Sequence, residues 1–335
     1  MAINMTVEKG RIRDSIFVLL AGCTEISRIP GLTAAGVSPE LTFMTPVVDS
    51  EIIVAGKALS MNDPPMTPDG IPTPAVITRA ALQSIEMPVM ILNSGLKAKP
   101  KVPFMETFLE PANDPTVQLA LPEMDRSIEA GRRIGEFLSR GFKRIYLGES
   151  VPGGTTTSAI VLNALGYSME TSSSMQHDPT NLKNDLVKKA LARNPAAGHD
   201  SREVMENFGD YMMSTAVGIS SGAGKTEVLF CGGTQMATVY HLDKEINGAG
   251  NSRKVITTSW VMNHRPSTLK ELVGDDLRIA DLNFRDSDID GLRKYDEGHV
   301  REGAGMGGSY YAAREILSDG DIKKKIYGVY SSLLK

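Results

Sequence analysis

Short runs of β-branched and aliphatic residues recur along the chain between longer segments of helical character. Such runs predict strands that are buried on both faces, because those strands are apolar throughout. Their alternation with helices is typical of an α/β fold, a mostly parallel sheet with helices on both faces. The predicted strands are Ser15–Leu20, Val89–Leu92, Arg144–Leu147, Glu227–Cys231, Lys254–Thr258 and Ile279–Leu282. The predicted helices are Ala75–Ile85, Glu123–Arg140, Thr156–Leu165, Thr180–Ala192, Arg202–Ile219, Thr234–Leu242 and Gly307–Leu317.

Three polar loops follow predicted strands and mark one region for ligand binding. GESVPGG follows Arg144–Leu147, GGTQ follows Glu227–Cys231, and SWVMNH follows Lys254–Thr258. In open parallel sheets, ligands bind in the crevice outside the carboxyl ends of the strands. The segment from Ile26 to Lys101 differs, since it holds ten of the 18 prolines and many polar turns. Apolar residues continue through it, so we interpret it as irregular substrate-binding structure and not as a linker.

Composition excludes several classes of protein. A chain of 335 residues with 41% hydrophobic and 23% charged residues suits one large soluble α/β domain, with or without a small satellite. The net charge of −4 comes from interspersed signs, so no nucleic-acid partner is predicted. The longest apolar stretches, such as Ile16–Gly22, are far shorter than the roughly 20 residues of a membrane span. The N-terminus does not resemble a signal peptide, and Cys23 and Cys231 are expected to be reduced buried thiols. These features predict a cytoplasmic protein.

Two glycine motifs resemble nucleotide-binding fingerprints but lack the required context. SGAGKT, at Ser221–Thr226, matches the end of a Walker A loop, yet Ile219 occupies the first glycine position and a helix precedes it. GAGMGG, at Gly303–Gly308, fits the GxGxxG of dinucleotide-binding folds, but a charged stretch precedes it where a buried strand is required. A triphosphate site and an NAD-dependent dehydrogenase are therefore minor alternatives.

The segment GESVPGGTTTS, at Gly148–Ser158, has the residues of a phosphate-binding loop. Gly153 and Gly154 free backbone N–H groups to point at an anion, and the helix that follows adds the positive end of its dipole. The alternative interpretation is that Thr155 or Thr156 only caps this helix.

A second set of polar residues suits a phosphomonoester. Ser172, Ser173 and Ser174 precede Lys183, which would lie one turn into a helix. Hydroxyls together with one mobile ammonium can bind such a group. The alternative is that Lys183 is a solvated surface residue, as lone lysines usually are.

A pair of glutamates provides candidate acid–base chemistry. Glu302 stands directly before the glycine run, and in one pocket with Glu149 the two carboxyl pKa values would move apart, leaving one group as a base. The alternative is that Glu302 is an exposed glutamate at a helix start. The five histidines include no pair at metal-ligand spacing, so no metal is predicted.

Taken in order, GESVPGGTTTSA, the serines with NLKNDLVKKAL, CGGTQMA and REGAGMGGS resemble four motifs of the nicotinate-nucleotide:dimethylbenzimidazole phosphoribosyltransferase family. The match is closest to its shorter archaeal-type branch, whose members also have sequences similar to GCTEISRIPGLTAAGVSPELTFMTP and GIPTPAVIT. Together these segments span most of the chain, and their order and spacing are specific.

The resemblance implies transfer of the 5-phosphoribosyl group from nicotinate mononucleotide to an aromatic lower-ligand base of a cobamide, without a cofactor. It implies that Glu302 is the general base, Glu149 a second active-site carboxylate and Lys183 a phosphate contact. The expected phosphate- and nucleotide-binding residues are Gly153, Gly154, Thr155, Thr156, Ser173, Ser174, Lys183, Gly232, Gly233, Thr234, Thr258, Gly303 and Gly305.

The resemblance also implies a Rossmann-like large domain at about residues 75–300, a small domain built from about residues 1–74 and 301–335, and a homodimer. Where bacterial members have Asp-His-Gly, this chain has Asn93, Ser94 and Gly95, so the accepted base is left open and is expected to be selected by Ile26–Lys101. The alternative from another class is a nucleotide-binding regulatory protein that has lost turnover. The presence of both glutamates argues against it.

Overall fold

A computed structural model of the chain describes residues 12, 14–33, 35, 39–62, 66–67, 70–173, 175, 178–195, 200–248, 250 and 252–334. Within these ranges, six strands form one parallel sheet in the order β2-β1-β3-β4-β5-β6. The strands are β1 Ser15–Ala21, β2 Val89–Asn93, β3 Arg144–Ser150, β4 Glu227–Cys231, β5 Arg253–Thr258 and β6 Leu277–Ala280. The predicted fold class, a mostly parallel sheet in an α/β protein, is confirmed.

Helices cover both faces of this sheet. The α-helices are Pro39–Thr42, Thr45–Ala55, Ala75–Ser84, Met124–Ser139, Gly154–Ala164, Thr180–Arg193, Ser201–Phe208, Tyr211–Gly222, Thr234–Asn247, Ser259–His264, Pro266–Val273, Asp290–Asp296, Met306–Arg314 and Asp319–Leu333, and short 3₁₀ helices lie at Glu25–Arg28 and Gly274–Asp276. Side chains of β1 alternate between the two faces, with Val18 and Leu20 in one core and Phe17 and Leu19 in the other. Both cores are apolar, so the central strands have no polar face.

Two predictions of secondary structure need correction. The last strand is Leu277–Ala280 and not Ile279–Leu282, because this edge strand is only partly buried and lacks a continuous apolar run. The predicted helix Arg202–Ile219 is two helices, since Gly209 is extended and the Asp210 carboxylate accepts from Met213 N to start the second one.

The segment Ile26–Lys101 is more regular than predicted. It includes the helix Thr45–Ala55, which buries the polar residues Asp49, Ser50 and Glu51 and therefore shows no clean apolar stripe in the sequence. The helix Asp319–Leu333 was also not predicted, because only Ile322 and Ile326 of its side chains are buried.

The order in which strands are added to the sheet reverses at β1, and this leaves a crevice at the carboxyl edge of the sheet. The chain runs from β1 to β2 on one side and then to β3 on the other. Leu20 of β1 is the register partner of Glu149, near the end of β3. A reversal of strand order in an open parallel sheet leaves such a crevice for ligands. Glu149 therefore lies at the position where this fold binds ligands.

The two glycine motifs that resemble nucleotide-binding fingerprints have the structural context that the sequence predicts. Ser221–Thr226 lies between the end of the helix Tyr211–Gly222 and the start of β4, at the opposite edge of the sheet. Gly303–Gly308 follows a helix and a loop and not a strand. Neither motif has the strand–loop–helix context of its fingerprint.

Other sequence predictions concern the cysteines, the membrane and the domains. Cys23 and Cys231 are buried free thiols, as expected. Across the part of the chain that is described, no helix is long and apolar enough to cross a membrane. The division into a large and a small domain stays a prediction, and β1, assigned to the small unit, is an inner strand of the sheet.

Four glycines allow two helices to touch along their backbones. Gly131 and Gly135 of the helix Met124–Ser139 face Gly218 and Gly222 of the helix Tyr211–Gly222. A Cβ on Gly218 would overlap the carbonyl oxygen of Ile128, and one on Gly131 would overlap the carbonyl oxygen of Thr215. Because the opposing atoms are backbone atoms, they cannot move aside as a flexible side chain can.

We expect Gly218→Ala to lower the free energy of unfolding by at least about 2 kcal/mol, because the added methyl forces the two helices apart. Gly328→Ala is the matched control, since Gly328 also lies inside a helix but a Cβ there meets nothing within 4 Å. The control should be neutral or gain up to about 1 kcal/mol from better helix propensity. Urea unfolding of both variants measures the difference, and equal effects would contradict the close packing.

Candidate functional site

Glu149 is a buried carboxyl near the end of β3, with 7% of its surface exposed. Its Oε2 accepts from Val151 N at 3.1 Å. Burial raises the pKa of Glu149 to about 8, and the negative charge of Glu302 adds to this effect. At neutral pH the Glu149 carboxyl is therefore mostly protonated.

Glu302 lies at the start of the helix Met306–Arg314, as the sequence predicts. Its Oε1 accepts from Gly307 N at 3.0 Å and from Gly303 N at 3.3 Å. Burial raises the pKa of Glu302 to about 7, while the backbone N–H groups of the helix start oppose the shift. These donors stabilise the carboxylate and so limit the rise in its pKa.

Glycines bring the two carboxyl groups together. A Cβ on Gly305 would lie 2.8 Å from Gly148 Cα and 2.7 Å from Phe17 Cζ, so the loop after Glu302 rests directly on β3. Gly305 also has a positive φ of 68°, which favours glycine. The end of β3 and the loop after Glu302 can approach only because neither contact position carries a side chain.

The Gly232–Gly233 loop lies close to both glutamates. A Cβ on Gly232 would lie 3.8 Å from Glu149 Cγ, and one on Gly233 would lie 3.6 Å from Glu302 Cβ. Two acids in one buried site cannot both ionise easily, so the more buried Glu149 retains its proton and Glu302 is the group that ionises first. This arrangement provides a proton donor and a base in one crevice.

Two further buried carboxyl groups surround Glu149. Ser150 Oγ donates to Asp49 at 2.7 Å, and Thr73 Oγ1 donates to the other oxygen of Asp49 at 2.6 Å. Thr157 Oγ1 donates to Asp210 at 2.7 Å. Burial raises the pKa of each of these aspartates to about 6. Both charges favour the protonated form of Glu149.

Lys183 lies on the side of the Gly232–Gly233 loop opposite to the two glutamates, and 6% of its surface is exposed. Its ammonium donates to Thr155 Oγ1 at 3.1 Å and to the carbonyl oxygen of Ser172 at 2.9 Å. Burial lowers the pKa of Lys183 to about 8. The alternative interpretation of Lys183 as a solvated surface residue is therefore wrong.

Hydroxyls and helix starts surround the Lys183 ammonium. Ser172 and Ser173 are called the serine segment below. Ser172 N donates to Thr234 Oγ1 at 2.9 Å, which holds this segment at the start of the helix Thr234–Asn247. The helix Gly154–Ala164 has Gly153 as its N-cap residue with a positive φ of 81°, and no side chain caps it. The alternative that Thr155 or Thr156 only caps this helix is therefore wrong.

We call Lys183, Thr155, Ser172 and Thr234 the phosphate cradle, after the group that the sequence predicts for this region. It combines one buried cation, three hydroxyl side chains and two helix N-termini, Gly154–Ala164 and Thr234–Asn247. Helix N-termini and an ammonium together favour an anion. Gly233 links the cradle to the carboxyl groups, because a Cβ there would also lie 3.3 Å from Ser172 Oγ.

Other predicted residues have structural roles in this arrangement. Thr258 Oγ1 donates to the carbonyl oxygen of Arg301 at 2.6 Å and caps the helix Ser259–His264 by accepting from Val261 N at 3.3 Å. Ser173 Oγ accepts from Met175 N at 3.1 Å, away from Lys183. A Cβ on Gly303 would lie 3.2 Å from Pro74 Cγ. Ser174 lies outside the described residues.

Sequence reasoning missed three residues at this site. Arg265 pairs with Asp178 at 2.6 Å, and Arg301 donates to the carbonyl oxygens of Ser173 and Met175. Gln235 is 3% exposed, and its side-chain amide lies directly against Gly154. Arg301 and Gln235 stand inside the REGAGMGG and CGGTQMA motifs, so their positions could have drawn attention. Arg265 had no such signal.

The charges at the site are separated into two groups. Lys183, Arg265 and Arg301 lie near the phosphate cradle, with Asp178 between them as a counter-ion. Glu149, Glu302 and the two buried aspartates lie on the other side of the Gly232–Gly233 loop. Among the residues described, no group of three or more His, Cys, Asp or Glu side chains has the geometry to hold a metal ion.

Comparison with known proteins shows the family to which the chain belongs. Residues 78–236 match a family model described as phosphoribosyltransferase, a span that includes Glu149, the phosphate cradle and the Gly232–Gly233 loop. Related chains extend over nearly the whole length. A UPF0284 protein of Thermoplasma volcanium is 46% identical over 90% of this chain and 88% of its own, and one of Pyrococcus abyssi is 37% identical over 96% and 98%.

Two solved structures from Thermus thermophilus share the fold. A nicotinate-nucleotide-dimethylbenzimidazole phosphoribosyltransferase has a TM-score of 0.54 and 17% sequence identity, covering 94% of this chain and 87% of its own. A structure named CobT has a TM-score of 0.55 and 16% identity, covering 94% and 88%. The match of this chain to the phosphoribosyltransferase model and the fold that it shares with the two solved structures bear out the resemblance predicted from its motifs. By its similarity to these relatives over nearly the whole length, the chain belongs to the UPF0284 family.

Proposed function

We propose that this protein transfers the 5-phosphoribosyl group of nicotinate mononucleotide to a dimethylbenzimidazole-like lower-ligand base, giving an α-ribazole phosphate and nicotinate for the nucleotide loop of a cobamide. The observation that carries the proposal is the pair Glu149 and Glu302, held across a glycine loop from the phosphate cradle. The phosphoribosyltransferase model and the shared fold support it. The family resemblance also implies a cytoplasmic homodimer, which we include in the proposal.

The proposed reaction exchanges one bond at the anomeric carbon of ribose for another. A ring nitrogen of the base attacks C1′ and forms the new C–N bond, while the bond from C1′ to nicotinate breaks. Its electron pair leaves with the pyridinium nitrogen, which becomes neutral, so the leaving group needs no proton. The base loses the proton of its N–H group, and the configuration at C1′ is inverted.

The two glutamates divide the remaining work. The Glu302 carboxylate accepts the proton of the base and, as an anion, stabilises positive charge that develops at C1′. The Glu149 carboxyl, protonated at neutral pH, is a hydrogen-bond donor in the same crevice. The phosphate cradle holds the far end of the nucleotide, so that C1′ is presented in one orientation.

The segment Ile26–Lys101 borders both glutamates and is the proposed site of base selection. Its Asp49 binds Ser150, next to Glu149. On the other side, Pro74 contacts Gly303, and Thr78 Oγ1 donates to the carbonyl oxygen of Ala304 at 2.9 Å. A segment that contacts both carboxyl loops can shape the slot for an aromatic base.

We expect Glu302→Gln to lower kcat for ribotide formation by at least about 10²-fold, because glutamine cannot accept the proton. Nicotinate mononucleotide binding should change little, since the phosphate cradle is intact. Mass detection of ribotides from a panel of benzimidazoles, purines and phenols measures the first effect, and calorimetry the second. Glu297→Gln, an exposed neighbour, is the control. An unchanged kcat in Glu302→Gln would contradict the assignment of the base.

We expect Lys183→Met to weaken nicotinate mononucleotide by at least about tenfold and nicotinate riboside far less, because charge-assisted hydrogen bonds to a phosphate are worth roughly 1.5–3 kcal/mol. Calorimetry with both ligands separates the two effects. Lys188→Met is the matched control, because Lys188 lies on the same helix and is exposed. Equal losses for both ligands would mean that Lys183 does not meet the phosphate.

The raised pKa of Glu149 predicts how stability depends on pH. Between about pH 4.5, its ordinary value, and about pH 8, the folded protein retains a proton that the unfolded chain has lost. This group therefore makes wild-type stability fall as pH rises through that window. Glutamine has the same shape but does not titrate, so the stability of Glu149→Gln relative to wild type should rise across the window.

Denaturant unfolding at a series of pH values tests this expectation. The difference between Glu149→Gln and wild type should level off near pH 8. For Asp49→Asn the corresponding difference should level off near pH 6, because burial raises the pKa of Asp49 only to about 6. A difference for Glu149→Gln that does not vary with pH would show that Glu149 is ionised in the folded protein.

A further inference from the structure

Arg301 contacts both the phosphate side and the carboxyl side of the site. Its guanidinium donates to the carbonyl oxygen of Ser173 and, at 3.2 Å, to that of Met175. Its own carbonyl oxygen accepts from Thr258 Oγ1 at the end of β5. The next residue is Glu302. One residue thus connects the serine segment of the phosphate cradle to the backbone that carries the proposed base.

Lys183 and Arg301 hold adjacent carbonyl groups of the serine segment. Lys183 donates to the carbonyl oxygen of Ser172, and Arg301 donates to that of Ser173. The two side chains carry like charges, so each disfavours the other in this partly buried space. A phosphate bound by Lys183 reduces that repulsion. Lys183 and Arg301 can then hold the carbonyl groups of Ser172 and Ser173 in place together.

The backbone at Arg301 continues directly into Glu302. Thr258 anchors the carbonyl oxygen of Arg301, while Gly303 N and Gly307 N hold the carboxylate of Glu302. The Arg301 side chain connects this backbone to the serine segment, in addition to the approach of Gly233 to Ser172 and Glu302. The position of Ser173 therefore bears on the residue next to the base, and an error of about 1 Å can cost about 10²-fold in rate.

We infer that Arg301 is a positioning residue through which occupancy of the phosphate cradle orients Glu302 for catalysis. The inference rests on the proposed function and goes beyond it, because it assigns the donor's phosphate a role in kcat as well as in binding. Part of the binding energy of the phosphate is then realised only in the transition state.

The kinetic test compares nicotinate mononucleotide with nicotinate riboside in wild type, Arg301→Met and Arg301→Lys. In Arg301→Met, kcat with the mononucleotide should fall at least about tenfold, and kcat with the riboside less than about threefold, because only the phosphorylated donor uses the link. Lysine retains one donor to a carbonyl oxygen and should restore part of the loss. Arg278→Met is the control, because Arg278 also binds only backbone carbonyl oxygens but lies on β6.

A second measurement does not depend on turnover. Nicotinate mononucleotide should slow hydrogen exchange of a peptide spanning residues 303–309, which includes Gly307 N, in wild type and not in Arg301→Met. Absence of ribotide in wild type with every base would overturn the proposed function, and exchange would still decide the role of Arg301. Equal kcat losses for both donors, or ligand-induced protection that persists unchanged in Arg301→Met, would overturn the inference.

Discussion

The direct contact of Gly305 with Gly148 determines how close the two halves of the site can come. β3 ends in Glu149 and Ser150, and the chain returns more than a hundred residues later with Glu302. A side chain at either glycine would separate these segments, and Phe17 already fills the space beneath them. Because the approach is so close, both carboxyl groups are taken from water within one crevice. Burial raises the pKa of each, and the negative charge of Glu302 raises the pKa of Glu149 further.

The separation of charge across the Gly232–Gly233 loop costs folding free energy and has a functional explanation. Four acids lie on one side and three cations on the other, with Asp178 as a counter-ion among the cations, so the four acids are buried largely among like charges. Structures retain such arrangements mainly at functional sites. The proposed donor, nicotinate mononucleotide, is negative at its phosphate and has a positive pyridinium nitrogen at C1′, besides the carboxylate of its ring. In the proposed binding mode the phosphate lies near Lys183 and the positive nitrogen near the carboxyl groups.

The parallel sheet supplies the rigidity that this chemistry needs. Glu149, the Gly232–Gly233 loop and Thr258 lie at or just beyond the carboxyl ends of three neighbouring strands. Their spacing is therefore set by the hydrogen bonds of the sheet and not by flexible loops. The helix Met306–Arg314 packs on the same sheet and brings Glu302 to this edge.

The sequence by itself determined the fold class, the inner strands and the residues able to do chemistry, because buried strands and glycine-rich turns are local patterns. It also identified Glu149, Glu302 and Lys183, through motifs whose order was specific. Tertiary structure alone decided the edge strand, the break at Gly209 and Asp210, and the convergence of Arg265 and Arg301 near Lys183. It also decided that Lys183 is buried and that Glu149 is protonated before Glu302. Burial and electrostatic coupling depend on atoms that are distant in sequence, so no local pattern records them.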